Sequence, residues 1–322
     1  GMGTELARNV GTAGPAAKVV AVCDIVEEKR KGLGAELGAD PVPSSTDLVG
    51  REDVDAVIVA TPNYLHARHT IEAAEAGKHV FSEKPMALQV EDCTAMIEAC
   101  KKAGVKLMVG QVLRYIGAFR LIAETARKGD IGEVASVAIT RTGQPNYGGL
   151  STEWRDKDET SGGVLFEVNV HEMDFMRTLL GEPEEVYSAA AKFIPQSDGD
   201  YEDLHSVTAR FEGGKVGQLL AGNSSPSGTY SGLVSGSLGE ILFGRWDAIT
   251  LRRFGEEPRE LAAPTGGPSP VAEELGGFVS AVLDDHEPPV PGEEGRRSIA
   301  YARAAVMSSR EGRPVRVADL LP

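Results

Sequence analysis

A histidine and two carboxylates recur at helical spacing near the middle of the chain. Glu167, His171 and Asp174 stand at i, i+4 and i+7 of the stretch that begins at Ser161-Gly162-Gly163 and ends at Gly181, so a helix there would carry all three on one face. Phe166, Val170, Met173, Met176 and Leu180 fall on roughly the opposite face, as a helix laid on a core requires. A carboxylate one turn from an imidazole sets its tautomer and tunes its basicity, which suits an acid/base working near neutral pH. The same spacing also fits a polar helix face held by an ordinary salt bridge.

A second set of polar residues follows apolar runs in the first third. Gly1, Met2 and Gly3 precede a helix-forming stretch from Thr4 to about Asn9, and then come the apolar run Val19 to Cys23 and Asp24. Glycines at a helix N-terminus, with an acid about 20 residues later, form the back half of a dinucleotide-binding βαβ unit: amides meet a pyrophosphate and the acid takes ribose hydroxyls. The strand that should precede the glycines is missing, so the expectation is a start assigned too late or a segment removed. Asp24 accepts both ribose hydroxyls but repels a 2'-phosphate, and Ile25 and Val26 offer no cation, so NAD is favoured over NADP. Gly32-Leu33-Gly34 lies in a Lys/Glu-rich helical stretch, not after a strand, and is set aside.

The elements that must hold these residues alternate. Strand-like runs at Lys18 to Cys23, Ala56 to Ala60, His79 to Ser82 and Lys106 to Val109 are separated by helical stretches such as Tyr64 to Ala76 and Glu91 to Ala103. Gly77 and Gly104 are expected to stop those two helices as left-handed caps. Strands joined by helices of this length pair in parallel through right-handed crossovers, giving a Rossmann-type doubly wound sheet whose ligands sit beyond the strands' carboxyl ends. Asp24, then Thr61-Pro62-Asn63, then Glu83-Lys84-Pro85, then Gln111 all occupy that edge.

Near residue 118 the pattern changes, which predicts a dinucleotide-binding domain over 1–117 and an α+β domain over 118–322. Beyond a helix around Phe119 to Lys128, strand-like runs occur at Val134 to Arg141, Glu185 to Ala191, Ser206 to Phe211, Val216 to Ala221, Tyr230 to Ser237, Glu240 to Phe243 and Ile249 to Arg253. Gly213-Gly214, Leu238-Gly239 and Arg245-Trp246-Asp247 read as hairpin connections. A mainly antiparallel sheet with helices on one face is expected, together with a surface loop from Gly255 to Pro270 and a late helix from Arg296 to Arg310.

Bulk properties narrow the function. The 322 residues are 41% hydrophobic and carry a formal net charge of -15, which disfavours nucleic acid and anionic membrane partners. No apolar run reaches the roughly 18 residues of a membrane span, and no signal peptide is seen. Cys23, Cys93 and Cys100 lack CxxC spacing, and Cys93, Met96, Ile97 and Cys100 line one helix face, so a reducing cytoplasm and no metal are expected.

These residues together resemble the Gfo/Idh/MocA oxidoreductases, the group of glucose-fructose oxidoreductase and inositol 2-dehydrogenase. The resemblance runs over nearly the whole chain: Gly1-Met2-Gly3, Thr61-Pro62-Asn63 with His66, Glu83-Lys84-Pro85, and Val109-Gly110-Gln111 leading to Arg114-Tyr115. It continues through Gly129-Asp130-Ile131-Gly132, Trp154 before Ser161-Gly162-Gly163, Glu167 to His171 and Asp174, Gly181-Glu182-Pro183 and Gly292-Glu293-Glu294-Gly295. It implies that Lys84 binds the substrate oxygen beside the nicotinamide, and that His171 takes the hydroxyl proton as hydride leaves for the ring. It implies cofactor contacts from Gly1, Met2, Gly3, Asp24, Thr61, Pro62, Asn63, His66, Glu83, Lys84 and Gln111. Arg114, Tyr115, Trp154, Arg155, Glu167, His171 and Lys84 are the implied substrate contacts. Glu167 stands where the family usually has aspartate, and one extra methylene shifts the carboxylate by about a bond length.

The resulting expectation is an NAD-dependent dehydrogenase acting on a secondary alcohol of a sugar, cyclitol or related polyol, working as a cytoplasmic homo-oligomer, dimer or tetramer. Two other readings stand beside it. The same redox step can serve transient oxidation for epimerisation or glycosidic elimination, and the fold can persist in a non-catalytic NAD- or sugar-binding regulator.

Overall fold

The computed structural model describes residues 1–12, 14, 17–144, 153–192, 194–195, 199–244 and 248–322. They form two compact units: one of Gly1–Ala87, Glu91–Val112 and Gly267–Arg296, the other of Leu88–Val90, Leu113–Gly266 and Arg297–Pro322. The main change from the first unit to the second falls after Val112. The return of Gly267–Arg296 to the first unit is a feature that a single cut in the chain misses.

In the first unit the strands are β1 (Ala21–Cys23), β2 (Asp40–Val42), β3 (Ala56–Val59), β4 (His79–Ser82) and β5 (Leu107–Val109), with helices α1 (Met2–Val10), α2 (Glu27–Leu37), α3 (Ser45–Val49), α4 (His66–Glu75) and α5 (Val90–Ala103) in the intervals. β1 pairs with β2, and β3–β4–β5 form a second sheet, all in parallel as expected. Gly77 and Gly104 take φ of 75° and 69°, the left-handed caps read from the sequence. β1 is shorter than the predicted Lys18–Cys23 run. β2 went unforeseen because Asp40-Pro41-Val42 offers neither an apolar run nor β-branched enrichment. A helix over Pro270–Leu283 was likewise not predicted, although Ser269 caps it by accepting the Ala272 N–H at 3.1 Å with proline at the first helical position. Its Phe278 meets Phe81 of β4 edge-on, ring centroids 5.9 Å apart. The next helix begins with Gly292 and Gly295, where an added Cβ would sit 2.8 Å from Ile97 Cγ1 and 2.8 Å from Val109 Cγ2 respectively. Those two glycines let its first turn lie directly on β5.

The second unit is built on a nine-stranded sheet: β6 (Val134–Thr142), β7 (Pro183–Ala191), β8 (Leu204–Phe211), β9 (Val216–Gly222), β10 (Thr229–Gly236), β11 (Gly239–Phe243), β12 (Ile249–Arg253), β13 (Arg259–Leu261) and β14 (Val315–Arg316), in the order β13-β12-β11-β10-β6-β9-β8-β7-β14. Every neighbouring pair is antiparallel except β6–β9 at the centre. Burial alternates along β8 and β9, so one face is covered and the other meets solvent. Gly213 and Gly214 make the β8–β9 turn with φ of 75° and 77°, and Leu238 precedes β11 as expected. The predicted Arg245–Asp247 connection lies outside the described residues. The stretch Gly255–Pro270 is not wholly loop: Arg259–Leu261 pairs with β12, because three residues on an edge need no apolar pattern to add a rung. The late helix runs Gly292–Glu311, starting before the expected Arg296.

On the covered side of β8, His205 is 3% exposed. Burial pushes its imidazole down from its ordinary 6.5 to about 4. The unfolded chain therefore binds a proton that the folded chain refuses between these two values, so stability present above about pH 6.5 is lost as pH falls toward 4. Urea unfolding between pH 7 and 4.5 should show this slope, and His205→Gln should flatten it by up to about 1.4 kcal/mol per pH unit; identical slopes would remove His205 from the acid response.

Candidate functional site

The first unit brings the predicted edge residues to the carboxyl ends of its strands. Pairing extends one residue past the strands, with Glu83 N–H donating to Val59 C=O at 2.9 Å and Gly110 N–H to Ser82 C=O at 2.8 Å. Glu83 is 7% exposed, and its Oε2 accepts the Lys84 N–H at 3.0 Å. An added Cβ at Gly110 would lie 3.3 Å from Phe81 Cζ and 3.4 Å from Glu83 Oε1, so glycine there makes room for that carboxylate. Asn63 and Gln111 are buried, while Lys84 is partly exposed and its bond to Pro85 is cis. His66, 1% exposed, reaches Pro85 C=O through Nδ1 at 2.7 Å and Thr61 C=O through Nε2 at 2.8 Å.

Gly1 caps α1, its carbonyl accepting Thr4 N–H at 3.1 Å, and Met2 is 43% exposed. At Gly3 a Cβ would stand 3.3 Å from Ala60 Cβ, so a bare backbone lets the helix start close to the end of β3. Asp24 ends β1 with Oδ1 accepting the Val26 N–H at 2.8 Å. Among the described residues its second oxygen has no partner, and a Cβ at Gly1 would meet nothing within 4 Å. A helix N-terminus open to ligand and a carboxylate with an acceptor to spare fit a dinucleotide. Arg30 approaches from α2 to donate to the Asp24 carbonyl at 3.3 Å, a cation the residues next to Asp24 did not reveal.

In the second unit, Ser161-Gly162-Gly163 is the device that starts the histidine helix. Gly162 and Gly163 have φ of 76° and 68°. A Cβ at Gly162 would come within 2.7 Å of Phe166 Cγ, and one at Gly163 within 3.2 Å of Tyr201 Cβ. Both need glycine for conformation and for space. Leu165–Asn169 then winds as a π-helix before the α-helix Val170–Leu180, so the assumed 3.6-residue phase does not hold through Glu167. That helix lies on β6 and β9.

Its acids meet arginines from three other places. Arg155 Nε donates to Glu167 Oε1 at 2.8 Å while its guanidinium lies 4.4 Å from the Trp154 ring centroid. Arg141 of β6 donates to Glu172 Oε1 at 2.8 Å, and the Tyr230 hydroxyl to the same oxygen at 3.0 Å. Burial pushes the Tyr230 phenol well above its ordinary range, with the Glu172 charge adding to it. Arg114 grips Asp174 with two bonds of 2.7 Å, and Ser298 and Arg177 complete the shell at 3.0 and 3.4 Å. His171, in the first turn of the α-helix, is 8% exposed. Trp154, Arg155 and Glu167 are thus brought together, whereas Arg114 is directed to Asp174. Tyr115 is half-buried, its carbonyl accepting from Arg120 at 3.2 Å. Glu172 and Arg141 were not foreseen, since nothing in the local sequence says which arginine a buried acid will meet.

Residues 1–111 match the description "Oxidoreductase family, NAD-binding Rossmann fold", and residues 119–242 match "GFO/IDH/MocA C-terminal domain". The chain belongs to the Gfo/Idh/MocA oxidoreductases. Members similar to it include 2,7-anhydro-N-acetylneuraminate hydratase of Escherichia coli (strain K12), 34% identical over 80% of this chain and 68% of that protein. The myo-inositol 2-dehydrogenase of Thermotoga maritima is 28% identical over 94% of this chain and 91% of its own length. Among solved structures, the aldose-aldose oxidoreductase from Caulobacter crescentus complexed with glycerol has a TM-score of 0.88 at 27% identity, covering 97% of this chain and 95% of that one. The family's first domain is an NAD-binding Rossmann fold. No described helix is long and apolar enough to cross a membrane, and no described group of His, Cys, Asp and Glu could hold a metal ion.

Removing the Asp174 carboxylate leaves Arg114 and the buried Arg177 facing each other. Asp174→Ala should lower the unfolding free energy by about 3–5 kcal/mol in chemical denaturation, and an unmoved midpoint would show that the cluster is not a structural hub.

Proposed function

We propose that this oxidoreductase moves a hydride between NAD and a secondary alcohol carbon of a sugar, cyclitol or related polyol. The observation that carries this reading is the match over 94% of the chain to a protein named for removing hydrogen from position 2 of myo-inositol. Bound NAD supplies the hydride acceptor. The Lys84 ammonium holds the substrate oxygen and favours the alkoxide that forms as the hydroxyl proton leaves, which becomes a carbonyl as hydride departs from the same carbon. His171 Nε2 or Nδ1 takes the hydroxyl proton, and returns it in the reverse direction. Glu167, fixed by Arg155, orients the substrate beside His171, and the Arg155 bond offsets the longer reach of glutamate over the family's usual aspartate. Trp154 and Tyr115 line the sugar's side, and Asn63, Glu83 and Gln111 shape the cofactor's. An acidic protein does not repel the neutral hydroxyls of such a substrate.

A second reading has its own support. Two relatives, at 34% and 35% identity, are named hydratases, and adding water leaves no net change in oxidation state. On that reading the same Lys84 and His171 serve a transient oxidation that is reversed before release. The proposal extends to a cytoplasmic homo-oligomer, supported by three free cysteines and by Tyr187, Val216 and Leu220 exposed on the sheet.

Lys84→Ala should lower kcat by about 10²-fold or more while NAD binding stays within about twofold; unchanged turnover on the wild-type substrate would take Lys84 out of the mechanism. Asp24→Ala should weaken NAD more than NADP in fluorescence titrations, and equal losses would refute its ribose role. Incubation with a polyol panel should build up one NADH per substrate oxidised; consumption of substrate with no NADH would favour the transient-oxidation reading.

A further inference from the structure

His66 joins the two loops on which the proposed chemistry of the first unit depends. Thr61 opens the loop after β3 that carries Pro62 and the buried Asn63; Pro85 follows Lys84 directly in the loop after β4. Its two ring nitrogens each meet a main-chain carbonyl, at 2.8 Å to Thr61 and 2.7 Å to Pro85, and the residue is 1% exposed. Carbonyl oxygens only accept. A neutral imidazole carries one N–H, so one of these contacts would set a nitrogen lone pair against an oxygen lone pair at hydrogen-bond distance; only a ring with hydrogen on both nitrogens satisfies both. The charge of such a ring has the buried carboxylate of Glu83 and the ammonium of Lys84 in the loop it reaches. On its own helix Arg68 and His69 follow, the latter held by Glu72 at 3.2 Å.

We propose that His66 is a positioning residue for Lys84: a doubly donating imidazolium clamp that ties the backbone directly after Lys84 to the loop after β3, rather than a group that touches the cofactor. A helix-borne ring has two rotatable side-chain torsions and is buried, so it transmits the rigidity of α4 to the loop that follows β4. The inference rests on Lys84 being the polarising group, because only then does its placement govern the rate.

Two measurements test it. In nitrogen-15 NMR of the full-length protein at pH 7, with the His66 signals identified by their loss in His66→Gln, both ring nitrogens should carry hydrogens; a ring with one bare nitrogen overturns the clamp. In steady-state kinetics and NAD titration, His66→Ala should reduce kcat by about 10²-fold, the cost of roughly an ångström of misplacement, with NAD Kd changed by less than about threefold. His66→Gln, whose amide can donate to one carbonyl, should recover part of that loss. NAD Kd weakening by the same factor as kcat falls would make His66 a cofactor contact, and unchanged kcat would leave it without a role; either result overturns the proposal. Should His66→Ala fail to fold, the NMR result on the wild-type chain decides alone. Failure of the Lys84 reading is separately visible as undiminished turnover in Lys84→Ala.

Discussion

Buried acids must find cations, and the second unit is arranged around that requirement. Glu167, Glu172 and Asp174 lie within two turns of one another, and Glu172 and Asp174 have 0% exposure. Carboxylates so deeply withdrawn from water cost several kcal/mol each unless paired and hydrogen-bonded. Each obtains its own arginine: Arg155 from the segment before the helix, Arg141 from β6, Arg114 from the segment before Gly117–Arg127. Three remote parts of the unit are thereby tied to one stretch of helix. His171 belongs to the same stretch of helix, so these pairs hold the segment that carries it.

The π-helix over Leu165–Asn169 belongs to the same arrangement. A wider turn rotates Glu167 relative to the α-helix that follows, and it needs the consecutive left-handed glycines at 162 and 163 to bring the chain in. The first unit solves a different problem with backbone. Its strands end in loops that must offer amides, a carboxylate and an amine in set directions without a ladder to hold them. Glycine at positions 3 and 110 allows close approach, and His66 supplies a side-chain tie where strand pairing has run out.

How much of this was legible in the sequence follows from how local each signal is. Seven of the nine described strands of the second unit were read within a residue or two, since alternation of apolar and polar residues is itself the consequence of one covered face, as β8 shows. Gly77, Gly104 and Gly181 marked helix ends because few other residues take positive φ. Asp40–Val42 and Arg259–Leu261 escaped because three-residue strands have no period to detect. The helix at Pro270–Leu283 did announce itself in Ser269-Pro270, but it was read as part of a loop rich in proline and glycine. Lys84, His171 and Asp24 stand out as candidates from motif and spacing alone. The arginine partners do not, since pairings such as Arg114 with Asp174 join residues 60 positions apart. The assumed common face of Glu167, His171 and Asp174 failed for a related reason: a π turn obeys no 3.6-residue period.

In the proposed reaction hydrogen moves directly from an alcohol carbon to the nicotinamide. This transfer is tested most directly by a quenched single turnover with NAD and a panel of sugars and cyclitols carrying deuterium on the carbinol carbons, with the cofactor extracted and its isotope content located by NMR and mass spectrometry. Deuterium is expected at C4 of the reduced nicotinamide for at least one substrate, whether or not NADH is later released. Deuterium recovered only in water, or a substrate converted while the extracted cofactor stays fully oxidised and unlabelled, would contradict it.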